Sequence, residues 1–315
     1  MHIFITGATG YIGSVCAEKA IAEGHTVHGL SRTEAGDAKL KALGAVPIRG
    51  DLSSFDTLEQ ESAKADAVLH CAFIHDFVSR KMSYDEVLRA DREAVNALAK
   101  GLEGSGKSLV VSSGSGGRVP DPNGGEVDET APIDEDFPFK ARMASEQYAM
   151  GKAKDGIRVS LVRVAPFVYG RGGSVFMPWL IAKAHAAGQS LYIGDGSPHT
   201  TTLHVDDAAT LYLAIAKHAT GGIFNGSGST TVTAKEVAEA VGTLLNVPVR
   251  SVTKEEAVKD ENLGPILTLF LGMECRSSNK KAREELGWKP TGIDLPTDVA
   301  QGSYKESAAM LSQKA

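Results

Sequence analysis

Residues Thr6-Gly7-Ala8-Thr9-Gly10-Tyr11-Ile12-Gly13 carry the clearest chemical signal in this chain. Three glycines at this spacing let a backbone turn tightly, approach a pyrophosphate and pack a helix closely on a strand. The pattern needs a strand before it and a helix after it. His2 to Thr6 alternates with β-branched residues and reads as the strand. Tyr11 to about Glu23 reads as the helix, with Ile12, Val15, Cys16 and Ala20 at helical spacing. Backbone N–H groups at the start of such a helix cradle anionic oxygens. Gly7, Thr9, Gly10, Tyr11, Ile12 and Gly13 are therefore expected to hold the phosphates of a dinucleotide.

The end of the next strand, His25 to Leu30, selects between dinucleotides. An acid there accepts from the ribose 2′-hydroxyl of NAD, whereas arginine pairs with the 2′-phosphate of NADP. The chain reads Leu30-Ser31-Arg32-Thr33 at this point, and the nearest acid is Glu34. Ser31 and Arg32 are the expected phosphate contacts, and NADP(H) is the expected cofactor.

The glycine motif and several later segments resemble the extended and atypical short-chain dehydrogenase/reductases. Gly50-Asp51-Leu52 follows the third strand, and Val68-Leu69-His70-Cys71-Ala72 ends the fourth. Arg163-Val164-Ala165-Pro166-Phe167-Val168-Tyr169-Gly170 is similar to the family's RPxxVYG. Leu203-His204-Val205-Asp206-Asp207-Ala208 is similar to its HVDD element, and Leu286-Gly287-Trp288-Lys289-Pro290 to its closing LGWKP. The resemblance implies that Asp51 and Leu52 contact the adenine. It also implies that Cys71, Ala72, Phe73, Pro166 and Phe167 lie along the rest of the cofactor.

The same resemblance implies that chemistry is done by a serine or threonine and a Tyr-x-x-x-Lys pair, the tyrosine exchanging a proton with the substrate oxygen. The strand Ser108 to Ser112 runs into Ser113-Gly114-Ser115, so Ser113 is the first candidate and Ser115 the second; the family's usual serine position falls on Gly114. Two alignments compete for the pair. The literal match is Tyr148-Ala149-Met150-Gly151-Lys152. If Glu146 is instead the family's helix glutamate, the tyrosine position falls on Pro138 and the lysine position on Arg142. Arg142-Met143-Ala144-Ser145-Glu146 is then the RxxSE of an atypical branch. Arg142 would act as a fixed cation, since guanidinium keeps its proton in proteins. The proton would come from Ser113, water or Lys140.

The nine histidines form no HxxxH or HExxH pattern, so no metal site is expected. His70 and His204 read as structural, while His75 and His199 read as loop residues near the site's edge. Phe73, Phe139, Phe167, Phe176 and Trp179 are candidates for an apolar substrate pocket.

These residues need a scaffold, and the elements that would supply it are legible. Short apolar strands alternate with helices through Val164. They include Ala45 to Ile48, Ala67 to His70, Thr57 to Lys64 and the long helix Tyr84 to Leu102. The pattern predicts an α/β fold, a doubly wound parallel sheet (Rossmann) with a smaller interleaved C-terminal α/β substrate cap. Residues 1–170 should bind NADP and 171–315 should form most of the cap, with about 200–220 returning to the main body. Val119 to Asp136 reads as a loop, Ala141 to Ala153 as a helix, and Leu203 to His218 as mostly helical.

With 315 residues the chain is about twice a ~150-residue domain. Its 42% hydrophobic and 23% charged content is that of a globular protein. A net charge of −6 argues against nucleic acid and membrane surfaces as partners. Three scattered cysteines suit a reducing, cytoplasmic setting. The absence of a long apolar run predicts no membrane span. A small-molecule substrate is expected, and the family's habit of pairing through two sheet-domain helices makes a homodimer plausible. Two functions follow. One is an NADP(H)-dependent oxidoreductase acting on a small carbonyl, alcohol, C=C or C=N group. The other is an NADP-binding redox sensor, or a non-redox lyase or isomerase.

Overall fold

The computed structural model describes residues 1–75, 81–261 and 263–313. Strand and helix alternate through β1 (His2–Thr6), α1 (Tyr11–Ala22), β2 (Thr26–Ser31), α2 (Glu34–Leu43), β3 (Val46–Arg49), α3 (Phe55–Lys64) and β4 (Ala67–His70). Then come α4 (Tyr84–Leu102), β5 (Ser108–Gly114), α5 (Ala141–Met150), β6 (Arg158–Val164), β7 (Phe167–Tyr169) and α6 (Phe176–Ala187). The chain continues through β8 (Ser190–Ile193), β9 (His199–His204), α7 (Val205–His218), β10 (Gly222–Gly226), β11 (Ser229–Thr233) and α8 (Ala234–Leu245). It closes with β12 (Val249–Val252), α9 (Lys254–Lys259), α10 (Gly264–Leu271), α11 (Lys280–Leu286), α12 (Leu295–Gln301) and α13 (Lys305–Ser312).

Seven parallel strands form the main sheet in the order β10-β6-β5-β4-β1-β2-β3. This is a Rossmann-like doubly wound sheet. The order reverses between β1 and β4, and such a switch point opens a crevice at the carboxyl ends of the strands. The register pairs Thr6 with His70, so β1 and β4 end level and the segments that follow them meet.

Strands covered on both faces must be apolar on both sides, and Val68, Leu69, Leu109 and Val110 are fully buried. One face packs α1 and α7 around Ile5, Leu69, Val110 and Tyr212. The other packs α3 and α4 around Phe4, Leu58, Leu98 and Leu109. A third cluster, with Phe167, Ile181, Val241, Leu267 and Tyr304, fills the carboxyl-terminal cap. The HVDD and LGWKP segments meet, because the buried Asp207 carboxylate accepts N–H bonds from Thr291 and Gly292, each 2.9 Å. The Trp288 indole donates to Thr210 Oγ1 at 3.0 Å.

Some expectations need correction. Leu203 and His204 end a strand rather than belong to the helix; α7 starts at Val205, with the His204 ring accepting from the Asp206 N–H (3.2 Å). The helix expected to reach Ala153 stops at Met150 and tightens into a 3₁₀ turn, Gly151–Asp155. Five short strands, β8 to β12, lie where no strand was expected. Gly222–Gly226, for which the sequence suggested no element, pairs along β6 at the edge of the sheet. Tertiary pairing overrides intrinsic preference in such short segments.

One buried ionic group ties helix to sheet. Glu146 of α5 and Arg163 of β6 are 5% and 4% exposed. Arg163 donates to the carboxylate through Nε (3.1 Å) and Nη2 (2.7 Å), and Arg118 adds a bond of 3.0 Å. Glu146→Ala would leave two guanidinium groups without their anion in a dry site. We expect it to cost about 3–5 kcal/mol, read as a lowered urea midpoint at unchanged slope; a loss within error of zero would contradict this view of the group.

Candidate active site

The glycine loop is shaped so that side chains are excluded. Gly7 has φ +71°, and a Cβ there would lie 2.7 Å from Ala72 N. A Cβ on Gly13 would lie 2.2 Å from the Gly7 carbonyl oxygen, and one on Gly10 3.1 Å from it. The Gly10 N–H donates to that same oxygen at 2.8 Å, closing the turn. Gly10 is the N-cap of α1, which has no side-chain cap and no acid in its first turn. By contrast, Thr33, Ser83 and Thr233 cap α2, α4 and α8. The first amides of α1 are thus left to an external acceptor, and the residues present fit a dinucleotide's pyrophosphate. Thr9 and Ile12 are half-buried on this loop, and Lys39 donates to the Thr9 carbonyl at 2.9 Å.

The same helix grips the cap. The Tyr11 hydroxyl donates to the Gly170 carbonyl at 2.7 Å. Arg171 forks between Glu18 of α1 (2.7 and 2.9 Å) and Asp206 of α7 (2.9 and 2.7 Å). Burial works to raise the Asp206 carboxyl, but bonds from Arg171 and Lys19 outweigh it and bring it down to about 2.

Past β2, Arg32 is exposed, and among the described residues it has no hydrogen-bond or ion-pair partner. Ser31 does not stand beside it as expected: it is fully buried, and its hydroxyl donates to the Thr33 carbonyl at 3.0 Å. It ends β2 in a run of three buried residues, Gly29, Leu30 and Ser31. Asp51 accepts from the Ser53 N–H (2.8 Å) and hydroxyl (2.6 Å) through one oxygen, and these bonds hold its carboxyl below the usual range. Leu52 packs half-buried against the sheet's core.

Beyond β4, Ala72 lies against Gly7, and the Cys71 thiol meets Cys16, pushing the Cys16 thiol well above its usual range. His70 is buried and bonded to Thr6 Oγ1 (2.7 Å) and Asp91 (3.3 Å), a structural chain beneath the crevice. Phe73 carries the Arg142 guanidinium 3.7 Å above its ring centre. Arg142 also donates to the Ser112 carbonyl at 3.3 Å, and its charge acts on the nearby phenol of Tyr84. Ser112 is anchored from the other side, donating to the His70 carbonyl (2.8 Å) and accepting from Tyr212 (2.6 Å).

The remaining candidates separate clearly. Ser113 is 4% exposed and its hydroxyl has no partner among the described residues. A Cβ on Gly114 would meet nothing within 4 Å, so open space lies beside it. Ser115 is buried against Cys275 Sγ at 3.9 Å. Lys140 is exposed and bonds Glu135. Tyr148 and Lys152 both reach Asn96 on the outer flank of α4, Tyr148 at 3.5 Å. Pro166 is half-buried, and Phe167 is fully buried in the cap's core, so its side chain is packing and only its backbone is available. His75 is exposed, its ring 5.1 Å from Phe73. His199 is the first residue of β9, not a loop residue, and faces Glu274 at 3.4 Å.

An arc of rings crosses from the sheet edge to the cap. Tyr84 meets Phe139 edge-on at 5.4 Å, Phe139 stacks on Phe270 at 6.4 Å, and Phe270 contacts Phe176 at 4.9 Å. Trp179 lies outside this arc, exposed on α6. Sequence reasoning missed Tyr84 and Phe270. A Ser-x-x-Glu capping signal at Ser83 marks Tyr84 as a helix's first residue, whereas the apolar run Pro265 to Leu271 offers no sign that Phe270 faces outward.

Residues 3–225 match the sequence pattern of the NAD dependent epimerase/dehydratase family. An uncharacterized protein of Schizosaccharomyces pombe is 36% identical over 310 residues, covering 96% of this chain and 100% of its own length. A 4-hydroxy-2-methyl-3-oxo-4-farnesyl-3,4-dihydroquinoline-1-oxide ketoreductase of Stigmatella aurantiaca is 27% identical, covering 70% of this chain and 66% of its own. Among solved structures, UDP-glucuronic acid 4-epimerase from Bacillus cereus, in complex with UDP-glucuronic acid and NAD, superposes with a TM-score of 0.74. It is 18% identical, covering 99% of this chain and 100% of that one.

Gly13→Ala tests the cradle. The added methyl must displace the Gly7 carbonyl, so dinucleotide affinity should fall by at least about tenfold, roughly 1.4 kcal/mol, measured by quenching of protein fluorescence. Unchanged affinity would show that the loop is only a structural turn.

Proposed function

The chain belongs to the NAD dependent epimerase/dehydratase family, and from that premise we propose that it is an NADP(H)-dependent oxidoreductase moving hydride to or from a small apolar carbonyl or alcohol. The observation that carries this reading is the convergence at the carboxyl ends of β4 and β5. There a pinned Arg142, the open space beside Gly114 and the ring arc adjoin the segment packed on the glycine loop. When bound, the dinucleotide supplies or accepts hydride, and the protein supplies orientation and electrostatics.

Gly7, Gly10 and Gly13 hold the pyrophosphate, Arg32 the 2′-phosphate, and Asp51 and Leu52 the adenine. Residues 1–170 form the cofactor-binding part, and those from 171 onward form most of the substrate cap. Glu146 bonded to Arg163 favours the alignment that puts Arg142 in the lysine's place, since the pair joins α5 to β6 as that alignment requires. Five half-buried rings (Phe73, Tyr84, Phe139, Phe176 and Phe270) favour an apolar skeleton over a sugar nucleotide, whose diphosphate needs cations around it. The relative named as a ketoreductase supports the same direction of chemistry. A reducing, cytoplasmic setting and a homodimer through the outer flanks of α4 and α5 complete the proposal. A cofactor-binding regulator, or a lyase or isomerase, is the competing reading; it draws on Pro138 standing at the tyrosine position.

No helix among the described residues is long and apolar enough to cross a membrane.

Three measurements separate these readings. NADPH should bind more tightly than NADH, and Arg32→Glu should remove about 1.5–3 kcal/mol of that preference; equal affinities in the starting protein would overturn the phosphate assignment. Stopped-flow oxidation of NADPH across aldehydes, ketones, enones and imines should show turnover with at least one. Tight binding with none would favour the regulator or the non-redox enzyme. Tyr148→Phe should retain activity within about twofold, and loss of most activity would reinstate the literal Tyr-x-x-x-Lys pair.

A further inference from the structure

We propose that Tyr84, the first residue of α4, is the proton donor of this site, a catalytic acid delivered from α4 where the resemblance places one on α5. The proposal rests on the oxidoreductase reading above and adds the acid that reading lacks.

Tyr84 is held in place from three sides. Its backbone begins α4 through a reciprocal cap, the Glu86 N–H donating to Ser83 Oγ (3.2 Å) and the Ser83 N–H to Glu86 Oε2 (2.7 Å). Its ring packs edge-on against Phe139. Its oxygen lies close to the charge of Arg142, a guanidinium itself fixed over Phe73 and on the Ser112 carbonyl. Two residues beyond Ser112 is the open space at Gly114. A phenol, a fixed cation and room for a small molecule therefore meet at the carboxyl edge of the sheet.

The other hydroxyls and amines are worse placed. Tyr148 faces Asn96 on the outer flank, Lys140 is exposed beside Glu135, and Ser115 is buried against Cys275. Ser113 remains as a hydrogen-bond partner for substrate, but an aliphatic hydroxyl is too weak an acid to release a proton at neutral pH unaided.

The phenol is protonated when substrate arrives. Burial pushes its pKa above the ordinary tyrosine value, and the charge of Arg142 offsets only part of that rise. The group therefore carries a proton at neutral pH and can serve as a donor but not as a base. In reduction, hydride to the carbonyl carbon would be supplied by a reduced nicotinamide held at the glycine loop. The C=O π pair moves onto oxygen, which takes the Tyr84 proton. The Tyr84 O–H bond breaks, leaving a phenolate opposite the Arg142 guanidinium, and water restores the proton. Arg142 keeps its own protons throughout; it is a positioning residue that stabilises the transient anion.

Tyr84→Phe and Arg142→Met test the proposal, with Arg142→Lys as the substitute should the methionine variant fold poorly. With NADPH and the carbonyl panel, Tyr84→Phe should lower kcat by about 10²–10⁴-fold while KM and NADPH affinity stay within about twofold. A second readout needs no turnover. Tyrosinate absorbance of the starting protein minus that of Tyr84→Phe isolates the Tyr84 titration, and Arg142→Met should move its midpoint to higher pH. Full kcat in Tyr84→Phe, or a midpoint indifferent to Arg142, would overturn the proposal and leave the oxidoreductase reading standing. A starting protein that binds NADPH but reduces nothing in the panel would overturn both.

Discussion

The buried bond between Glu146 and Arg163 is the constraint on which the crevice depends. A carboxylate this deep needs its cations, and those cations need it. Satisfying both leaves α5 one position on β6. That position places Arg142, one turn earlier on the same helical face, beside the end of β5. Each residue of a helix turns the face by about 100°, so a slip of one residue would carry the guanidinium off Phe73 and away from Ser112. Phe139, just before α5, is placed by the same fit and sets the start of the ring arc. One ion pair thus positions both the charge and the apolar wall of the site.

An acidic protein is proposed to bind a polyanion, and the two facts coexist because the binding is local. In that proposal most of the attraction comes from neutral backbone amides, kept open by Gly7 and Gly13, where a Cβ would collide, and by Gly10, where it would be tight. At the adenosine end the proposed binding calls on a single cation, Arg32. Neither a basic face nor a high isoelectric point is needed, so bulk charge says little about this kind of ligand.

What could be read in advance follows the physics of each element. The central strands of the main sheet, β1, β4, β5 and β6, are mostly buried and apolar, and periodicity finds the strands through β6. The glycine loop is legible because its constraint is local: turn, approach and packing all fall within one short segment. β10 was invisible because Gly222–Gly226 is a strand only by virtue of its neighbour. The burial of Ser31 depends on the sheet covering both faces at the end of β2, which the local sequence does not announce. Tyr84 and Arg142 are 58 residues apart in numbering (142 − 84), and nothing in either segment announces the other. Their meeting depends on α4 and α5 lying side by side, a fact of packing rather than of composition.

Helix α1 has two duties that no single motif reveals. Its first turn faces the phosphate site, while Tyr11 and Glu18 on its flank hold Gly170 and Arg171 at the root of the cap. Anything that steadies one end of a rigid rod steadies the other. A dinucleotide seated at the first turn and the root of the cap would therefore bear on the same helix, and whatever binding at one place does to the other would hold equally in reverse.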